Sequence, residues 1–221
     1  MKYIIALAAI LCVALIGGGI YAATRPYKAG PRTVPLADAY AKRLSDGGWK
    51  QGSATAPVEL VEYADFECPT CGFMYPIIKS ALTQTGSDVA FRYRDYPLTN
   101  IHPNAQQAAL AAEAAGRQAK FWEMHDMIFE NQTTWSSDTP AAFRAVLEGY
   151  VTSLGLDLKQ YDNDLQDPTL ADPIASDVKA GSDIKLTGTP TMLINGKEVA
   201  TLPRDAATLV SLLEAAKPAA Q

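Results

Sequence analysis

Two cysteines separated by two residues are the groups in this sequence best suited to chemistry. Cys68 and Cys71 form a C-x-x-C pair, and the third cysteine, Cys12, lies in an apolar segment where a thiol behaves as a small hydrophobic group. A C-x-x-C pair can hold a metal, attach a haem, form a structural disulfide or carry out thiol-disulfide exchange. Spacing alone does not distinguish these four uses, so the neighbouring residues must decide.

The neighbours disfavour three of the four uses. Structural zinc needs two further thiolate or imidazole ligands at matching spacing, whereas His102 and His125 stand far apart in the sequence. Haem attachment needs a histidine directly after the second cysteine, where this chain has Gly72. A purely structural disulfide would close a very short loop and would gain little stability. The sequence therefore favours redox chemistry and indicates neither a metal nor a cofactor.

The order of residues around the pair supplies a physical basis for redox chemistry. Val58–Ala64 has the β-rich pattern of a strand, and the apolar residues after Cys71 have helical spacing. If a helix begins after Cys68, Pro69 takes its first position and Cys68 caps it. The positive end of the helix would then stabilise a thiolate and lower the pKa of Cys68. We expect Cys68 to form mixed disulfides with substrates and the shielded Cys71 to resolve them.

The remaining elements predict one α/β domain. A second strand is predicted over Val89–Asp95, and helical patterns dominate residues 104–182. A hairpin is predicted from Thr191–Asn195 and Lys197–Leu202, which are joined by an Asn-Gly turn. A final helix is predicted over Asp205–Ala216. The helical block therefore reads as an insertion into a small mixed sheet.

Three blocks of sequence, in this order, carry a family resemblance. They are GSATAPVELVEYADFECPTC, YPLTNIHPNAQQAALAAEAAGRQAKFWEMHDMIFENQ and GTPTMLINGK, and they lie within about residues 52 to 216. The chain resembles the DsbA-like thiol-disulfide oxidoreductases of the thioredoxin superfamily. The resemblance implies an α/β thioredoxin fold with an inserted helical domain, here preceded by an N-terminal apolar helix.

The resemblance also implies roles for residues outside the cysteine pair. Pro190 would be a cis-proline that faces the cysteines, and Thr189 would offer its backbone to a bound peptide. Glu62 matches the buried acid that shuttles protons, although strand alternation leaves open that it is an exposed strand residue. The dipeptide Pro69-Thr70 departs from the Pro-His of the strongest family oxidants. Because Thr70 carries no charge, we expect a couple less oxidising than about −120 mV but well above about −270 mV.

Other polar and aromatic residues near these blocks are expected to have structural roles. Asp65 and Glu67 are expected to be loop acids near the rim of the site. Two histidines and two aromatic residues of the inserted block match family positions, and we expect them to pack and to mark the fold: His102, Phe121, Trp122 and His125.

The N-terminal sequence predicts export from the cytoplasm. Residues 4–23 are uncharged and long enough to cross a hydrocarbon core of about 30 Å, as a retained membrane anchor or a cleaved signal peptide. Residues 24–52 are rich in Pro and Gly and are predicted to be a linker, and residues 53–221 form the predicted DsbA-like domain. A net charge of -5 without a basic cluster argues against nucleic-acid binding.

These observations predict a periplasmic or extracytoplasmic disulfide oxidase, tethered to the membrane by residues 4–23. Its expected partners are cysteine-containing protein substrates and, as the family implies, a quinone-linked membrane protein that re-oxidises it. The linker is too short for the dimerisation domain of family isomerases, which predicts a monomer. A disulfide isomerase or reductase is the alternative within the same chemistry. A thioredoxin-like metal chaperone that binds Cu(I) through the two thiolates is the alternative from another class.

Overall fold

The structure is a computed structural model that describes residues 46–219 together with Tyr40 and Arg43. The predicted apolar helix of residues 4–23 lies outside the described residues. Within the described residues, none of the helices has the length and apolar character needed to span a bilayer.

A five-stranded mixed sheet forms the centre of the fold. Its strands are β1 (Trp49–Gln51), β2 (Val58–Ala64), β3 (Val89–Asp95), β4 (Thr191–Ile194) and β5 (Lys197–Glu198). They lie in the order β1-β3-β2-β4-β5, so that β2 occupies the middle. Strands β2 and β3 are parallel, whereas the other neighbouring pairs are antiparallel. A central strand is covered on both faces, which is why β2 is buried throughout its C-terminal half.

Helices cover the sheet, and most of them lie between β3 and β4 in the sequence. One helix follows β2, six lie between β3 and β4, and one closes the described chain: α1 (Pro69–Thr85), α2 (Ala105–Gly116), α3 (Phe121–Glu130), α4 (Gln132–Trp135), α5 (Pro140–Ser153), α6 (Leu158–Gln166), α7 (Asp172–Asp183) and α8 (Ala206–Ala215). This arrangement confirms the predicted α/β architecture with inserted helices. Proline stands at the first position of α5, behind the Thr139 cap, where its missing N–H would have no helical partner.

Strand β1 corrects the predicted linker, because it lies within residues 24–52 and belongs to the sheet. Trp49 stacks on Phe121, with ring centroids 4.2 Å apart, and pairs with Tyr93 of β3. Gly48 adopts a φ of +74°, and a Cβ there would lie 2.7 Å from the Tyr93 carbonyl oxygen. The glycines that suggested a flexible linker therefore allow close backbone contact, and three residues are too few to show strand alternation.

A buried ionic cluster connects the residues before β1 to the inserted helices. The Arg43 guanidinium lies 2.7 Å from the Asp177 carboxylate of α7 and 2.8 Å from the Glu113 carboxylate of α2. The side chains of all three residues are at most 1% exposed, and Asp95 lies 3.5 Å from Arg43. Burial raises the pKa of Glu113 and of Asp177, and the charge on Arg43 opposes both shifts. The folded domain therefore includes Arg43 as a structural counter-ion.

Arg43→Ala is expected to lower the free energy of unfolding by about 3–5 kcal/mol, because it leaves the buried Glu113 carboxylate without its cation, while Asp177 retains only Arg94 as a cation among the described residues. Arg144→Ala is the matched control, since Arg144 is 57% exposed and its pair with Glu148 is worth only about 0.3–0.5 kcal/mol. Urea unfolding of both variants and the parent measures the difference. Equal decreases in the free energy of unfolding in the two variants would show that the Arg43 cluster stabilises the fold no more than an exposed ion pair does.

Candidate active site

The cysteine pair lies where β2 gives way to helix α1. Cys68 is the N-cap residue, with extended backbone dihedrals, and Pro69 occupies the first helical position. The Cys68 carbonyl accepts the first helical hydrogen bond from the Gly72 N–H, at 3.1 Å. Proline suits this position because its missing N–H would have no partner in the first turn. The predicted position of Cys68 at the positive end of a helix is therefore the observed one.

A glutamine from the inserted helices secures the loop before the cysteines. The Gln132 amide donates to the Phe66 carbonyl at 2.7 Å and to the Cys68 carbonyl at 2.8 Å. A Cβ at Gly72 would overlap the Gln132 amide, so this contact requires glycine directly after Cys71. Sequence reasoning missed Gln132, because nothing in its own helix indicates a partner about sixty residues away.

The loop before β4 lies against the Cys68 sulfur. The Cys68 sulfur lies 3.4 Å from the Thr189 carbonyl oxygen, and the Thr189-Pro190 peptide bond is cis. Cys68 is 6% exposed and Cys71 is fully buried, while Pro69 and Thr70 are exposed beside them. The structure thus brings together Cys68, Cys71, Thr189 and Pro190 as the sequence analysis expects.

The pKa values of the two thiols shift in opposite directions. The Cys71 S–H donates to the Cys68 sulfur and is the main reason that the pKa of Cys68 falls to about 5. Burial opposes this shift, whereas the Thr189 side chain and the N–H groups of Cys71 and Thr70 support it. Burial raises the pKa of Cys71 well above its usual value, and its hydrogen bond to Cys68 and the charge of Glu62 add to that shift. The helix N-terminus thus contributes to the thiolate, but the partner thiol contributes more.

Glu62 lies in the middle of the sheet, behind the cysteine pair. It pairs with Tyr93 on β3 and with Met192 on β4, and it is 3% exposed. Burial, followed by the nearby charge of Cys68, raises the pKa of Glu62 to about 8. Its Oε1 atom has no hydrogen-bond partner among the described residues. Its carboxyl group is therefore mostly protonated at neutral pH.

Two acids just before the cysteines are buried, so the expectation that they are rim acids is wrong. Asp65 accepts the Glu67 N–H at 2.7 Å and the Leu98 N–H at 2.8 Å, and it pairs with His102 Nδ1 at 2.7 Å. Glu67 accepts the Asn104 N–H at 2.6 Å. Both carboxylates therefore tie the loop before Cys68 to the loop before α2. The bond from Asp65 to the N–H two residues later is an Asx turn, which an aspartate between a predicted strand and a predicted helix could have indicated.

His125 of α3 is buried in an aromatic cage. Its ring centroid lies between 4.8 and 5.9 Å from those of six aromatic rings: Phe66, Tyr75, Tyr93, Phe121, Trp122 and Phe129. Its Nδ1 atom lies 3.0 Å from the Asp126 carboxylate. Both histidines thus have a carboxylate partner, and His125 is buried whereas His102 is half-buried.

A low-pKa cysteine at a helix N-terminus, a buried partner thiol and a cis-proline loop together form the arrangement of a thiol-disulfide oxidoreductase. A thioredoxin family model matches residues 45–215. The chain belongs to the thioredoxin family. This match begins before β1, in agreement with the structural role of that strand.

Curated relatives of this thioredoxin-family chain include much longer proteins. Na(+)/H(+) antiporter NhaA 1 of Salinispora arenicola is 42% identical over 147 residues, which are 66% of this chain and 21% of the antiporter. Na(+)/H(+) antiporter NhaA 1 of Mycolicibacterium gilvum is 34% identical over 171 residues, which are 76% of this chain and 26% of the antiporter. The chain therefore spans about a fifth to a quarter of these relatives, and the similarity concerns one domain-sized part of each.

Solved structures share the fold of this thioredoxin-family chain. BdbD from Bacillus subtilis has a TM-score of 0.66 and 22% identity, covering 85% of this chain and 98% of BdbD. The thiol-disulfide exchange protein alpha-DsbA2 from Wolbachia pipientis has a TM-score of 0.64 and 19% identity, covering 80% and 91% of the two chains. A protein-disulfide isomerase from Novosphingobium aromaticivorans has a TM-score of 0.61 and 19% identity, covering 76% and 97%. The inserted helices and the sheet thus match a DsbA-type fold.

Titration of the reduced protein is expected to reveal one thiolate with a midpoint near pH 5 and no second thiolate until well above pH 9. A lowered folded-state pKa means that the Cys68 thiolate stabilises the reduced fold fully above the free-thiol value of about 8.5 and loses that effect as the pH falls through about 5. Ultraviolet thiolate absorbance measures the midpoint.

Two variants separate the causes of this shift. Cys71→Ala removes the donor to the Cys68 sulfur and is expected to raise the midpoint, whereas Cys71→Ser retains an O–H donor and is expected to keep it low. An unchanged midpoint in Cys71→Ala would assign the effect to the helix N-terminus instead.

Proposed function

We propose that this chain is an exported thiol-disulfide oxidoreductase that acts as an oxidase and forms disulfides in secreted or envelope proteins. The observation that carries the proposal is the opposite shift of the two thiol pKa values, to about 5 for Cys68 and well upward for Cys71. A stabilised Cys68 thiolate stabilises the reduced enzyme relative to its disulfide. Its disulfide is therefore a good oxidant of other thiols.

The proposed reaction has two exchange steps. A substrate thiolate attacks the Cys68 sulfur, the Cys68–Cys71 bond breaks, and Cys71 leaves as a thiolate that takes a proton from Glu62. A second substrate thiolate then attacks the substrate sulfur of the mixed disulfide, and Cys68 leaves as a thiolate. The substrate loses two electrons, which the enzyme keeps as its reduced cysteine pair. A quinone-linked membrane protein would remove these electrons and restore the disulfide.

Extended substrate segments would bind beside Cys68. The Thr189 carbonyl already lies 3.4 Å from the Cys68 sulfur, so a strand pairing with the backbone before Pro190 would bring its cysteine to that sulfur. The exposed residues Pro69 and Thr70 would border such a strand. The Thr189 hydroxyl is buried without a hydrogen-bond partner among the described residues, and a Cys68 thiolate would give it an acceptor.

The proposed location of the enzyme is supported by the sequence before the domain. The apolar residues 4–23 suit an anchor or a signal, and disulfide formation suits an oxidising compartment outside the cytoplasm. The similarity to one part of longer antiporters supports a place for this domain near a membrane, while antiport belongs to those longer proteins. We propose a monomer that is tethered to the outer face of the cytoplasmic membrane.

The redox potential of the Cys68/Cys71 couple tests the oxidase direction. Equilibration with glutathione buffers is expected to give a value between about −270 and −120 mV, because Thr70 adds no positive charge to support the thiolate. Thr70→His is expected to move the potential towards about −120 mV. A parent potential at or below about −270 mV would identify a reductase instead.

Glu62→Gln is expected to slow the resolution of mixed disulfides, because Cys71 loses the group that exchanges its proton. Mixed disulfides with a cysteine peptide are quantified after acid quenching, with Cys71→Ser as the reference for complete trapping. The pKa of Cys68 is expected to change little, since the Cys71 S–H donor stays in place.

Unfolding stability provides a second readout for Glu62. Folding raises the pKa of Glu62 from about 4.5 to about 8. Its contribution to the free energy of unfolding is therefore fully present below about pH 4.5 and is lost as the pH rises through about 8. Glu62→Gln is expected to abolish this loss. Normal resolution together with an unchanged pH profile of stability would make Glu62 an ordinary strand residue.

A further inference from the structure

A cavity of about 300 Å³ lies over the sheet between helices α1 and α3. Glu62 and His125 line its inner part, and apolar side chains such as Ile78 and Leu82 form its walls. Exposed residues, among them Gln51 and Thr83, border its opening. Thr83 lies fifteen residues beyond Cys68 along α1, which places this edge of the opening about 20 Å from Cys68 at 1.5 Å per residue. The cavity therefore approaches Glu62 from a surface remote from the Cys68 sulfur.

Two buried polar atoms belong to residues that line this cavity and lack partners among the described residues. They are Oε1 of Glu62 and Nε2 of His125, and their residues are 3% and 4% exposed. Buried polar atoms in native proteins are normally paired with protein or with water. A cavity of this volume has space for several water molecules at about 30 Å³ each, and such water could contact both atoms.

The surroundings of His125 define what its free nitrogen can do. Its Nδ1 atom pairs with Asp126 at 3.0 Å, which leaves the lone pair on Nε2 when the ring is neutral. Asp126 also accepts a hydrogen bond from Lys79 of α1 at 2.9 Å. Burial lowers the pKa of His125, and Asp126 opposes that shift. The other titratable groups around the ring are Tyr75 of α1 and, on the sheet, Tyr93 and Glu62.

We propose that this cavity is the route by which Glu62 exchanges protons with solvent, and that His125 Nε2 is the proton acceptor on its wall. The proposal rests on the proposed function of the Cys68/Cys71 pair. Each opening and each closing of that disulfide requires Glu62 to give or take one proton. A substrate docked on Cys68 would cover the nearest surface, so a second opening would keep Glu62 in contact with solvent during exchange.

The proton balance is the same in both directions. When the disulfide closes, Cys71 attacks the Cys68 sulfur of a mixed disulfide and the partner leaves as a thiolate. The Cys71 proton passes to Glu62 and then through cavity water to His125 Nε2. The resulting imidazolium keeps its Nδ1–H on Asp126, and its Nε2 proton leaves through cavity water to solvent, which restores the neutral ring with its lone pair on Nε2. When the disulfide opens, protons follow the reverse route. Aromatic packing alone would not need an imidazole paired with a carboxylate.

The test measures the disulfide of the enzyme itself with small thiols, so it does not depend on any protein substrate. His125→Phe retains an aromatic ring but removes Nε2, and the rates of opening by dithiothreitol and of closing by glutathione disulfide are followed at pH 7. Both rates are expected to fall roughly 10-fold, less than the 10²–10⁴-fold usual for direct general acid–base groups. The redox potential and the pKa of Cys68 are expected to stay unchanged.

Glu130→Gln is the matched control, because Glu130 also accepts a hydrogen bond from Lys79 at 2.9 Å but does not line the cavity. Its rates are expected to equal those of the parent. Chemical rescue then separates proton transfer from packing. Imidazole is expected to restore the rates of His125→Ala in proportion to its concentration, whereas pyrrole, which has similar size and no basic nitrogen, is not.

Parent rates in His125→Phe, or equal rescue by imidazole and pyrrole, would overturn the proposal. Asp126→Asn provides the test if the His125 variants do not fold, since loss of the carboxylate charge weakens the basicity of Nε2. Unchanged rates in Asp126→Asn would then overturn it. Failure of the oxidase proposal has a different signature, namely a parent potential at or below about −270 mV with the His125 effects intact.

Discussion

The proton held by Cys71 is the feature on which the site depends. As long as Cys71 stays a thiol, its S–H donates to the Cys68 sulfur and stabilises the thiolate there. Burial of Cys71 and Glu62 keeps both groups protonated near neutral pH, because neither charged form is solvated in the middle of the structure. One negative charge, on the outermost sulfur, is therefore the favoured state of the reduced site. The same burial separates Cys71 and Glu62 from the solvent with which their protons would exchange.

Both the sheet and the inserted helices contribute residues to this site. Strand β2 carries Glu62 beneath the cysteines, and helix α1 presents Cys68 at its positive end. The inserted helices supply Gln132, which holds the Cys68 carbonyl, and the loop before them supplies partners for Asp65 and Glu67. The insertion is therefore part of the active-site framework. A helix α1 without these contacts would present its cysteines on a less constrained loop.

Access to the site is divided between two surfaces. Cys68 is slightly exposed beside Thr189 while Cys71 is fully buried, whereas Glu62 lines the cavity between α1 and α3, which Thr83 borders. Electrons and protons therefore need not use the same path. This separation suits chemistry in which a large partner covers one face while a buried carboxyl must still exchange protons.

Local patterns were sufficient for the reactive pair and for the elements other than strand β1. The strand before Cys68, the helix begun by Pro69, the hairpin at Asn195-Gly196 and the low-pKa position of Cys68 follow from short-range rules of alternation, capping and turn chemistry. The resemblance added Pro190 and Glu62, which those rules leave undecided. The N-terminal segment was also assigned from its own composition, but it lies outside the described residues.

Tertiary structure alone decided which polar groups are buried and what they contact. Strand β1 and Arg43 appeared to belong to a linker, because their partners Tyr93, Glu113 and Asp177 come from distant parts of the chain. Burial of Asp65 likewise depends on a loop more than thirty residues away. The pKa of a group depends on every residue that surrounds it in space. A cavity likewise depends on residues from distant parts of the chain. For that reason the sequence could name the two cysteines, whereas only the fold could assign the proton to Cys71 and place His125 beside the route to Glu62.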